Sequence, residues 1–221
     1  MNRIAVAVSL IVLVTLSLPA GLRAGTDPAL LHPATLTAKA PARYDVTVKT
    51  TAGTFVVTVT RAWAPRGADR FYSLVKHGFF TDAAFFRVVP GFVVQFGLSA
   101  NPAVNAAWGH QNLKDDPVIK SNRAGYLSFA SAGPNTRTTQ IFIDLGDNAR
   151  LDAMGFAPFG KIVTGMDVVR KIYSGYGESP DQSAIESKGK TYLDQNFPAL
   201  DRIISATIVS PAPSVHPTPK H

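Results

Sequence analysis

Between Phe85 and Gly97 the sequence reads FFRVVPGFVVQFG. A cation on one strand is followed by a Pro-Gly turn and a second strand that carries an aromatic ring and an amide. If the two strands pair, Arg87, Phe92 and Gln95 face one shallow site that combines a guanidinium donor, an apolar wall and a side chain able both to donate and to accept. Taken singly these residues have plainer readings. A lone strand Arg is commonly solvated or ion-paired, and a Gln on a strand can be a satisfied polar residue of a sheet wall.

Two further stretches hold residues of the same kinds. Gly125 to Ile143 reads GYLSFASAGPNTRTTQIFI, and Leu151 to Lys161 reads LDAMGFAPFGK. Phe92, Phe142, Leu151 and Phe156 would ordinarily be assigned to the core, and Gln140 to a polar position beside it.

Other chemistries find little support. Asp144, Asp147 and Asp152 lack the central Gly and terminal Glu of a calcium loop, so they read as turn residues. The five histidines, at 32, 77, 110, 216 and 221, have no metal-ligand spacing. No G-x-S-x-G, Walker-type or dinucleotide-binding stretch occurs, which removes the corresponding hydrolase and nucleotide-binding classes. Neither cofactor nor metal is expected. With no Cys, disulfides and a lipid-modified bacterial N-terminus are excluded.

The elements that must position these residues are mostly short strands. Tyr44, Val46 and Val48 alternate with polar residues, a turn follows at Ala52 and Gly53, and Phe55 to Thr60 completes a hairpin. Pro65 opens a helix whose apolar face is Ala68, Phe71, Leu74 and Val75, with Lys76 and His77 in its last turn and Gly78 as its stop. Strands are expected at Phe85 to Val88, Phe92 to Phe96, Tyr126 to Ala130, Gln140 to Leu145, Ala157 to Val163 and Arg202 to Val209, and a second helix from Met166 to Tyr173. Eight strands and two principal helices suit a mainly β fold, a closed antiparallel barrel capped by the helices, because closure removes exposed edges. Ser174 to Asp201 is too long for a plain loop, and its Ile185, Tyr192 and Leu193 suggest a short packed helix with a structural role.

Residues 1–24 have the layout of a secretory signal, with Arg3 ahead of an apolar run from Ile4 to Val14 and small residues after it. The expectation is export, to a bacterial periplasm, with an uncleaved membrane anchor as the alternative and no stable membrane insertion once the signal is cleaved. Residues 25–43 read as a Pro-containing linker partly docked through Leu30 and Leu31, 44–210 as the folded domain, and 211–221 as a disordered Pro-rich tail. The formal net charge of +7 is spread over singly placed Lys and Arg, so no nucleic-acid partner is expected.

Taken in order, the three stretches resemble the cyclophilin family, with similar spacing from about Tyr44 to Val209. The resemblance implies an eight-stranded barrel with a proline pocket on its outer surface and peptidyl-prolyl cis-trans isomerase activity on proline-containing polypeptides, carried out by a monomer that assists the folding of exported proteins. It implies Arg87 as the catalytic residue, Phe92, Val93, Phe142 and Leu151 as pocket walls, Gln95, Gln140 and the backbone at Ala130, Ser131 and Ala132 as polar contacts, and Phe156 near the pocket floor. A proline-peptide binding module or holdase with little catalysis is the alternative. The chain departs from the family pattern at Phe86, where His is frequent and where an effect on rate or specificity is expected. It also departs at Val93, where Met is common, and at Ser131, where Asn is common. Arg150 lies near the position where drug-sensitive members carry Trp, so strong cyclosporin binding is not expected.

Overall fold

The structure, a computed structural model, describes residues 26–209. The expected signal segment and the Pro-rich tail lie outside the described residues.

Eight strands make one sheet: β1 Arg43–Thr50, β2 Gly53–Thr60, β3 Arg87–Val89, β4 Val93–Phe96, β5 Tyr126–Phe129, β6 Ile141–Asp144, β7 Gly160–Thr164 and β8 Ile203–Val209. Their order across the sheet is β3-β4-β6-β5-β7-β2-β1-β8, with every pairing antiparallel. Four α-helices accompany them: α1 Pro65–Lys76, α2 Pro102–Trp108, α3 Met166–Lys171 and α4 Gln182–Asn196.

The local reasons are visible in the sequence. Pro65 occupies the first turn of α1, where a missing N–H costs nothing. Gly78, at φ +68°, ends the helix and lets the Phe79 N–H reach the Leu74 carbonyl at 3.0 Å. Ala68, Phe71, Leu74 and Val75 are buried as the periodicity requires, against Phe55, Phe80, Phe129 and Phe159 of one large core. Polar groups inside it are paired: Tyr44 donates its hydroxyl to the Ala68 carbonyl at 2.8 Å, and the Trp108 indole donates to the Leu30 carbonyl at 2.9 Å.

Three expectations need correction. The barrel is not closed by a ladder; the sheet is an open half-barrel with β3 and β8 at its edges. Between them stands a single bridge, Ala84 with Arg202, flanked by bonds from Phe85 to Asp201 and from Ile203 to Ala83. The physical reason is that the outer edge of β3 is taken by the segment before α4, since the Val88 N–H donates to the Gly177 carbonyl at 3.1 Å. Second, two helices had not been given their full weight. α2 was not anticipated, and α4 runs to fifteen residues, kinked at Gly189, where φ is +56° and an added Cβ would collide with the Ala100 carbonyl. Third, of the two docking residues proposed for 25–43, Leu30 is buried while Leu31 is 43% exposed. Among the described residues no helix is long and apolar enough to cross a membrane.

Candidate active site

Strand alternation builds the site. On β4, Val94 and Phe96 point into the main core, so Val93 and Gln95 point outward. The neighbouring register places Gln95 opposite both Arg87 and Phe142, and directly opposed residues share a face. The β3–β4 hairpin closes through Pro90 and Gly91, with Gly91 at φ +75° and the Phe92 N–H donating to the Val89 carbonyl at 3.0 Å. This is the geometry that a Pro-Gly pair favours. It delivers Phe92 beside Arg87, whose guanidinium carbon sits 5.6 Å from the ring centroid.

The outward face is a cleft of about 370 Å³. All eleven residues singled out in the sequence line it: Arg87, Phe92, Val93, Gln95, Ala130, Ser131, Ala132, Gln140, Phe142, Leu151 and Phe156. Val93, Phe142 and Leu151 form a small buried apolar cluster of their own, with Phe92, Ala130 and Phe156 packed on it. Phe142 and Phe156 meet edge to face at 5.5 Å. The result is an apolar bowl with a polar side. On that side Arg87 Nη1 donates to Gln95 Oε1 at 3.2 Å, and Gln95 Nε2 donates to Gln140 Oε1 at 2.8 Å.

Two of the three backbone N–H groups at 130–132 are already engaged within the protein. The Ala130 N–H is bonded to the Gln140 carbonyl and the Ala132 N–H to Thr136 Oγ1, both at 2.9 Å. The carbonyl oxygens of this stretch and the Ser131 N–H are therefore the groups left to meet a peptide. The loop that follows is pinned from beneath by buried Arg137, which pairs with the buried Asp116 carboxylate at 3.2 Å, and by reciprocal bonds between Asp115 and Asn135.

Sequence reasoning missed a supporting layer. Buried Asn122 accepts from Ser128 and donates to both Asp152 and the Phe156 carbonyl, so it fixes the loop that carries Leu151 and Phe156. Burial pushes the Asp152 carboxyl up, but bonds from Ser121 and Asn122 outweigh this and hold it below the ordinary range. Asn148 ties the Phe92 carbonyl to Asp144 Oδ1. Asp144 is fully buried and its Oδ2 has no hydrogen-bond partner, and burial raises its pKa to about 7. Asp144 and Asp152 were read as turn residues, whereas Asp144 ends β6 and is buried; Asn122 and Asn148, short polar residues in loops, give no periodic signal and did not stand out.

Two assignments for the departures also change. Phe86 is 1% exposed and does not line the cleft; it packs with Leu98, Ile185, Leu193 and Leu200 under α4. Nor is Ser174 to Asp201 purely structural. Gln182 lines the cleft, and Glu178 bonds Arg87 Nε and Nη2 at 2.6 Å each. Arg150 lies over the Phe92 ring at 4.8 Å, a cation on an aromatic face.

With this geometry in hand, comparison with known proteins is decisive. Residues 45–190 match the family model of the cyclophilin type peptidyl-prolyl cis-trans isomerase/CLD. The chain belongs to the cyclophilin family. It is accordingly a peptidyl-prolyl cis-trans isomerase. Among its relatives, peptidyl-prolyl cis-trans isomerase-like 1 of Neurospora crassa is 32% identical over 148 residues, covering 65% of this chain and 90% of that protein. The isomerase CYP18-2 of Arabidopsis thaliana is 31% identical over 147 residues, covering 65% and 89%. A crystal structure of a Cryptosporidium parvum cyclophilin type isomerase, in the presence of the dipeptide Ala-Pro, shares the fold with a TM-score of 0.56 and 23% identity, covering 75% of this chain and 99% of that one.

Proposed function

We propose that this cyclophilin catalyses rotation about X-Pro bonds in exported polypeptides, as a monomer, with Arg87 donating a hydrogen bond to the prolyl nitrogen. Rotation about a peptide bond faces a barrier of about 18 to 20 kcal/mol because the amide is conjugated. At the twisted geometry the nitrogen loses conjugation and gains a lone pair that accepts a hydrogen bond. A guanidinium fixed beside that nitrogen binds the twisted form better than either planar isomer, and this difference lowers the barrier. An acceleration of about 10⁵ needs about 7 kcal/mol of it.

The observation that carries the reading is the juxtaposition of an apolar bowl with a fixed cation. Phe92, Val93, Phe142, Leu151 and Phe156 are of the kind that holds a pyrrolidine ring, and the Arg87 guanidinium stands at the edge of the same cleft. The Gln95 and Gln140 amides and the carbonyls at 130–132 orient the peptide so that one side of the bond turns while the other is held. Export rests on the sequence of residues 1–24 alone.

Titration of the full chain with an Ala-Pro peptide, followed by NMR, tests the site. Resonances of Val93, Phe142, Leu151 and Phe156 are expected to shift together. Shifts confined to another face of the sheet would overturn the assignment. N-terminal sequencing of the protein recovered from a bacterial host tests export, since an intact Met1 in a membrane fraction contradicts signal cleavage.

A further inference from the structure

Arg87 is held from two sides, and only one of them belongs to the sheet. Gln95, its cross-strand partner, takes Nη1. Nε and Nη2 go to a single carboxylate oxygen of Glu178, at 2.6 Å each. Glu178 is 91 residues away in the chain, in the segment between α3 and α4.

That segment is fastened to the strand that carries Arg87. The Gly177 carbonyl accepts from the N–H of Val88, the next residue along β3, and the Ser179 N–H closes a turn on the Tyr176 carbonyl at 2.9 Å. Gly177 takes a left-handed conformation at φ +54°, which lets the chain reverse before Glu178. Tyr176 is wedged against Tyr173 and Phe197 with ring centroids 5.2 and 5.1 Å apart. The carboxylate is thus delivered at a set distance from the cation. The Glu178 side chain is 62% exposed and that of Arg87 25%, so the pair contributes little to fold stability. Its physical effect is on geometry: a long side chain with several rotatable bonds is confined to one orientation before substrate arrives.

We infer that Glu178 is a positioning residue for Arg87, aiming the guanidinium into the proline cleft by occupying Nε and Nη2. The inference rests on the catalytic role proposed for Arg87. Catalysis by a single hydrogen bond to a transient lone pair depends steeply on donor placement, so loosening Arg87 lowers turnover more than peptide binding.

The test compares the full chain with its Glu178→Ala and Glu178→Gln variants in NMR exchange measurements on an Ala-Pro peptide, which separate kcat from KM. Glu178→Ala is expected to lower kcat about tenfold with KM changed less than about twofold, and Glu178→Gln, which keeps an acceptor, to recover part of the loss. Raising salt from about 0.01 to about 1 M, which screens the half-exposed pair, should lower kcat of the wild type and leave Glu178→Ala unaffected. The Arg87 Nε–H resonance should be protected from water in the wild type and broadened in Glu178→Ala. Wild-type kcat in Glu178→Ala, or a loss of kcat with the Arg87 resonance unchanged, overturns the inference. So does a loss matched by a fall in melting temperature, which would make the role structural. If Arg87→Ala is itself as active as wild type, the catalytic reading fails first, and that result is distinct from a failure confined to Glu178.

Discussion

Gln95 stands directly across the ladder from Arg87 and accepts from its Nη1 at 3.2 Å, while its own Nε2 donates to Gln140 Oε1 at 2.8 Å. The amide can satisfy both partners in only one orientation, because its oxygen must face the cation. The residue therefore connects the Arg87 cation to the Gln140 amide across the cleft. Replacing Gln95 by Leu preserves volume but frees Arg87 on that side and leaves the Gln140 oxygen unpartnered. The expected outcome is a fall in kcat/KM of about tenfold, about 1.4 kcal/mol, measured by exchange kinetics on an Ala-Pro peptide.

Phe142 belongs both to a buried apolar cluster and to the lining of the proposed proline cleft. It is buried in the cluster with Val93 and Leu151 and forms the edge-to-face contact with Phe156. Phe142→Ala should destabilise the domain by about 3 kcal/mol in urea unfolding, within the usual range for such truncations. The same change widens the bowl, so KM for the peptide should rise more than kcat falls.

Asp144 gives stability a particular pH dependence. Its carboxyl, raised by burial to about 7 and raised further by nearby Asp152 while the Asn148 bond opposes the shift, keeps its proton in the fold at pH values where the unfolded chain has lost it. The folded state then binds more protons than the unfolded one. This contribution to stability therefore falls as pH rises from about 4 to about 7 and is constant above. Asp27, Asp69, Asp152 and Asp194 are shifted the other way, so their contributions are complete above the ordinary carboxylate range and fade only in stronger acid. Asp144→Asn should flatten the decline between pH 4 and 7 in a melting-temperature series. An unchanged slope would show that Asp144 titrates normally.

Phe86 illustrates what the sequence made legible and what it did not. Of the eleven cleft residues, the strand pair and its Pro-Gly turn brought only Arg87, Phe92 and Gln95 to one face; the other eight were named through the family resemblance. Phe86, adjacent to Arg87, invited a functional reading from its position alone. It lies just ahead of β3, outside the strand's alternation, and packs with Ile185, Leu193 and Leu200 in a cluster separate from the core that holds Val88. The segment 174–201 explains most of the other differences. It places an acidic residue beside the cation and occupies the edge that barrel closure by β8 would have used, yet its contacts are long-range and leave no periodic trace in the sequence. α2 was missed because seven residues opened by Pro102 are too short to show an amphipathic repeat.

Restoring the more frequent family residue should accordingly affect the scaffold before the chemistry. Phe86→His places a polar ring in an apolar cluster, and a loss of about 2 kcal/mol is expected, with earlier proteolytic cleavage in 174–201. Equal stability of the variant would show that α4 does not depend on this contact.

The central claim is that the cation acts on the reacting bond, as distinct from merely lining a binding cleft. Exchange rates of an Ala-Pro peptide with the full chain and with Arg87→Ala, at matched peptide occupancy, measure this most directly. The account predicts rapid exchange with the wild type and a loss of at least about a hundredfold in kcat for the variant while peptide binding persists. Full activity in Arg87→Ala, or wild-type binding without faster exchange, would contradict it.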